Sequence, residues 1–99
     1  MAYKIIWSEP ALNDLRSLTS FIAEDNPQAA EKTGAAILGK TRLLIEHPLI
    51  GRMVPEIRRK HVRELIQRPY RILYRVNAQN KTVEIIRVWH GARGEPEIS

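Results

Sequence analysis

The sequence predicts an α+β fold in the order β-α-α-β-β-β: an antiparallel sheet with a helical hairpin packed on one face. Three observations predict it. Apolar residues recur at helical spacing from Ala11 to Leu44, they gather in short β-branched and aromatic runs before and after that stretch, and proline, glycine or a capping residue stands at the switches between the two patterns. With 99 residues the chain suits one domain, residues 1–99, built on a single modest core.

Tyr3-Lys4-Ile5-Ile6-Trp7 reads as the first strand. Ser8 follows as an N-cap, Glu9 complements the positive end of the helix dipole, and Pro10 is tolerated in a first turn where its missing N–H has no partner. Ala11, Leu15, Leu18 and Ile22 then form an apolar stripe that Leu12 widens, with Asp14 at its edge. Glu24-Asp25-Asn26-Pro27 stops this helix and starts another, with Asn26 as the second N-cap. The second helix is expected from Pro27 to about Glu46, its apolar face drawn from Ala29, Ala30, Thr33, Ala36, Ile37, Leu43 and Leu44.

His47 to Glu56 holds two prolines and a glycine, and reads as a loop with room for a brief extended piece. Val62–Ile66, Tyr70–Val76 and Thr82–His90 are the remaining strands, the last two joined by the polar turn Asn77–Lys81. Strict alternation puts Tyr70, Ile72, Tyr74 and Val76 beneath the helices, and Arg71, Leu73 and Arg75 on the open face. In the last strand it groups Ile86, Val88 and His90 on one side and Val83, Ile85, Arg87 and Trp89 on the other. A bulge near Gly91 would re-aim His90.

The chain has no cysteine, which excludes disulfides, thiolate zinc sites and a thiol nucleophile. No apolar stretch approaches the roughly 18 residues of a membrane span, and no secretory signal layout opens the chain, so a cytoplasmic protein without a membrane partner is expected. The formal charge of +5 is unevenly spread: residues 51–93 carry eleven Lys/Arg against three Asp/Glu, while residues 1–50 carry five against six. A basic C-terminal half of this kind suits a polyanion or an acidic protein partner, and equally a solvated basic face. Arg71 and Arg75, on alternate residues of one strand, can each grip a phosphate or carboxylate bidentately, or can pair across strands with Glu64 or Glu84. His90, near a strand end among arginines, has the chemistry of a general acid, although a lone histidine is more often structural. His47 and His61 are isolated, and neither a metal site nor a cofactor motif is recognisable.

Taken in order, SxxAxxDLxxLxxFIAxDNPxAA from Ser8 to Ala30, HPxxGRxVPE from His47 to Glu56, VRELI, YRILYRV and RVWHGAR resemble the RelE/ParE superfamily of bacterial type II toxins over nearly the whole chain. The resemblance implies a growth-inhibiting toxin neutralised by a cognate, ParD-like antitoxin, with operator DNA met only through the toxin–antitoxin complex. RelE-like members cleave mRNA on the ribosome without a metal, and this branch implies Arg71 as transition-state clamp, His90 as general acid and Glu56 as base. Lys60, Arg63 and Arg75 would then hold the RNA backbone. ParE-like members poison DNA gyrase and are not enzymes. The helix pair joined through DNPQAA, the VREL strand and the HGAR ending resemble this second branch, in which Arg71, Arg75 and Arg93 are the candidate target contacts. Gly91 stands where several of the nucleases place a tyrosine, and the open face lacks their lysine cluster. A third reading is a non-toxic co-repressor.

Overall fold

Ser8 accepts from the Ala11 amide at 3.2 Å and opens helix α1 (Glu9–Asp25) directly after strand β1 (Lys4–Trp7). Asn26 repeats the device on the Ala29 amide at 3.0 Å, so α2 (Pro27–Arg42) starts as soon as α1 ends and the two helices form a hairpin. The computed structural model describes residues 2–98; Ser99, the end of the acidic tail, lies outside the described residues. α2 is shorter than its periodicity suggests. The chain tightens into a 3-10 turn over Leu43–Ile45, which buries Leu44 and turns Leu43 outward, although both were expected on the apolar face.

Strands β2 (Arg52–Met53), β3 (Val62–Gln67), β4 (Tyr70–Asn77) and β5 (Thr82–His90) follow, and a second 3-10 turn covers Gly91–Arg93. The sheet order is β1-β5-β4-β3-β2. β2 to β5 pair antiparallel, whereas β1 runs parallel to β5, with Lys4 opposite Thr82 and Trp7 opposite Ile85. The sheet is therefore mixed, which corrects the expected antiparallel one. Alternation reports which residues share a face, and says nothing of which strand lies alongside or in which direction.

A second correction lies in β5. Leu73 faces Arg87 while Tyr74 faces Ile85, so Ile86 is one residue too many and forms a bulge. The bulge resets the alternation: Val83, Ile85 and Val88 all join Ile72, Tyr74, Val76, Ile37 and Leu44 in the core beneath the helices. Ile86 and Trp89 instead join Val54, Val62 and Leu73 on the far face. Ile86 and Val88 were expected to share a side, and they do not. Nor is the far face bare, because Ile57 of the loop after β2 and Ile98 of the tail pack onto its apolar centre. Beyond the bulge, His90 lies opposite Tyr70 on the helix side and Trp89 opposite Arg71 on the far side.

Candidate functional site

Arg71 is fixed by neighbours on both sides of β4. On β3, Glu64 lies across from Leu73, two residues from Arg71 on the same face, and β2 sets Arg52 opposite Glu64. Arg71 Nε donates to Glu64 Oε1 at 2.6 Å, and Nη2 reaches Glu64 Oε2 at 3.2 Å. Arg52 Nε takes the same Oε2 at 2.7 Å. The loop after β2 then brings Glu56 to the outer edge of the guanidinium, where Nη1 and Nη2 bind its two oxygens at 2.9 and 2.8 Å. The result is a chain of two carboxylates and two guanidiniums, closed on itself in charge.

Burial makes this arrangement decisive. The Glu64 side chain is wholly inaccessible and that of Arg71 is 13% exposed, so neither is hydrated and each is satisfied only by the other partners of the network. Hydrogen bonds from Glu56 and Glu64 raise the Arg71 guanidinium above its ordinary value. The same contact from Arg71 lowers the Glu56 carboxyl from 4.5 to about 2. A carboxylate so acidic, with both oxygens already bound, is a poor proton acceptor.

The other sequence-derived candidates are dispersed. His90 lies across the sheet from this network. Its ring meets Tyr70 edge-on at 5.4 Å, and its Nδ1 accepts from the Ala92 amide at 3.1 Å. It lines a cleft of about 500 Å³ with Phe21, Ile22 and Val88, and so shares no space with Arg71. The structure thus brings Glu56 and Arg71 together and leaves His90 apart. Arg63 also departs from expectation: alternation along β3 sends it to the helix side opposite Tyr74, where it donates to the Lys60 and Gly51 carbonyls, both at 2.9 Å. It straps the 51–60 loop and is not part of the far face. Lys60 is exposed in the turn before β3.

Arg75 is half-exposed on the far face and paired with Glu84 at 2.9 Å. Beside it a cleft of about 610 Å³ opens between Ser8, Arg87 and Ile98. Arg93 sets its guanidinium 4.3 Å from the centre of the Trp89 ring, and Arg87 lies 5.0 Å from the same ring. Trp89, Arg52 and the Asp14–Arg87 pair were not among the candidates. For Glu64 a signal existed: a single carboxylate in the apolar run Val62-Arg63-Glu64-Leu65-Ile66 had to face inward with the apolar residues or pair with a cation.

The sequence model described as "ParE toxin of type II toxin-antitoxin system, parDE" matches residues 5–94. The chain belongs to the ParE toxin family. Within the wider RelE/ParE superfamily, this ParE-family chain is 34% identical to a protein of Sinorhizobium fredii named as toxin Y4kP, over 96% of its own length and 95% of that protein's. It is 30% identical to Toxin RelE2 of Caulobacter vibrioides, over 91% and 97% of the respective chains. Among solved structures, the chromosomal ParDE toxin–antitoxin system of P. aeruginosa shares the ParE-family fold at a TM-score of 0.72, with 23% identity and coverage of 90% and 96%. The chain is thus a type II toxin of the superfamily whose fold its sequence predicted.

Proposed function

We propose that this toxin poisons DNA gyrase through surface contacts and performs no chemistry of its own, and that a cognate antitoxin neutralises it. One observation carries the reading: Arg71, which stands at the clamp position of the nuclease branch, is saturated by Glu56 and Glu64. To bind a scissile phosphate it would have to release Glu56 and leave Glu64 buried beside Arg52 alone. His90, the other nuclease candidate, faces away. A surface that works by contact needs neither group free. The candidate contacts are then Arg75, Arg93 and Lys60, which are accessible cations of the C-terminal half.

Purified toxin is expected to block gyrase supercoiling and to yield gyrase-dependent linear DNA. Unaltered gyrase at high toxin excess would overturn the reading. The 30% identity to a RelE-named toxin and the contact between Glu56 and Arg71 favour one second reading, ribosome-dependent mRNA cleavage. New 5′ ends on translating ribosomes that vanish in Glu56→Gln would establish it instead. Growth arrest on expression without antitoxin excludes the co-repressor role, and stabilisation of a plasmid carrying the toxin and antitoxin genes is the corresponding cellular readout.

A further inference from the structure

Three features converge at the β2 end of the sheet. The first is apolar: Leu49, Ile50 and Met53 are 57%, 54% and 42% exposed, and His47, Pro48, Leu49 and Ile50 shape a hollow of about 350 Å³. Three large aliphatic side chains within five residues, all facing water, form a patch of the kind that marks an interface. The second is an open edge. β2 ends the sheet order, and because Val54 donates to Val62 at 3.4 Å, the alternation of antiparallel pairing turns the amide and carbonyl of Met53 away from β3. The third is charge: Arg58, Arg59 and Lys60 follow at once, all exposed and none in an ion pair among the described residues.

We infer that the 47–60 segment is the docking surface for an extended acidic segment of the antitoxin, which adds a strand to β2, lays aliphatic side chains on Leu49, Ile50 and Met53, and sets carboxylates against Arg58, Arg59 and Lys60. Backbone pairing at an open edge supplies affinity, while the side-chain patches on either side supply register and sign. The cation run selects an acidic occupant over a second copy of this basic chain, whose matching patch would carry the same charge. The β1 edge at the other end of the sheet presents a single exposed large aliphatic residue, Ile6, and is a weaker site by the same criteria. The inference rests on the reading that an antitoxin binds this toxin.

The test uses the full-length toxin and the antitoxin encoded beside it, with affinity measured by titration. Leu49→Asp/Ile50→Asp and, separately, Arg58→Glu/Arg59→Glu/Lys60→Glu are expected to weaken the complex at least tenfold, with the charge variant's loss shrinking as salt is raised. Amide exchange at Met53 is expected to slow in the wild-type complex. Both variants alter exposed side chains, and an unchanged melting temperature verifies the fold of each. Wild-type affinity in both variants, or unslowed exchange at Met53, would overturn the location while leaving the antitoxin reading intact. A wild-type toxin that fails to bind the antitoxin overturns both. Dimerisation of the isolated toxin that is lost in Leu49→Asp/Ile50→Asp would assign the face to a second copy instead.

Discussion

Gly51 is buried under the Tyr74 hydroxyl, which accepts from its amide at 2.9 Å. A Cβ there would sit 2.4 Å from the Glu64 carbonyl oxygen and 2.6 Å from the Tyr74 hydroxyl, so only glycine can occupy the position between Ile50 and Arg52. Gly51→Ala is expected to cost about 3 kcal/mol through forced displacement of β3, read as a lower midpoint in denaturant. Tyr74→Phe leaves the buried Gly51 amide without an acceptor and should cost about 1–3 kcal/mol. The Glu56 carboxyl gives a pH-dependent prediction. Its value in the folded chain is depressed to about 2, so its stabilisation is complete above the ordinary 4.5 and is lost as pH falls toward 2. Because Glu56 is exposed, the contribution is about 1 kcal/mol after screening by solvent. Denaturant titrations of wild type and Glu56→Gln should therefore converge between pH 4.5 and 2, with wild type the more stable above that window.

At the level of elements, α1 is held to the sheet where β1 has already turned away from β5. Asp14, on α1, accepts from Arg87 Nε at 2.7 Å and Nη2 at 2.8 Å, and from the Val88 amide at 3.0 Å. One carboxylate thus covers a stretch of β5 edge that has lost its neighbouring strand, and raises the Arg87 guanidinium above its ordinary value. Asp14→Ala strands both partners and is expected to lower stability by about 3 kcal/mol, with amide exchange accelerating first at Val88. The sequence placed Asp14 at the edge of the apolar stripe, and no local pattern could name its partner 73 residues away. Capping residues, by contrast, act within one turn, which is why Ser8 and Asn26 were readable as helix starts. The bulge at Ile86 was unreadable for the opposite reason. Ile85, Ile86 and Val88 are all apolar, so the pattern carries no contrast that could show where the strand changes face.

Across the whole molecule, the sheet separates two surfaces that the sequence had merged into one basic, arginine-rich region. Layer order was legible because helices and strands differ in period, and the succession of motifs from Ser8 to Arg93 pointed to the superfamily. The candidate site was legible only in part: Glu56 and Arg71 meet, whereas His90 and Arg63 face the helices. Charge counting could show that residues 51–93 are basic, but not that Arg71 is already neutralised by carboxylates from a loop and a neighbouring strand. Removing one partner from this network should be severe, since Arg71→Ala leaves a buried Glu64 with Arg52 alone, at an expected cost of roughly 3–5 kcal/mol. Loss of toxicity in that single variant would consequently report unfolding. Replacing the buried pair together by apolar residues of similar size avoids that penalty. The measurement that bears most directly on Arg71 is therefore growth arrest by the toxin carrying Arg71→Met and Glu64→Leu, expressed without antitoxin. A soluble, cooperatively melting variant that arrests growth as wild type does is the expected result, whereas an equally well-folded variant that no longer arrests growth would mean that Arg71 acts on the target itself.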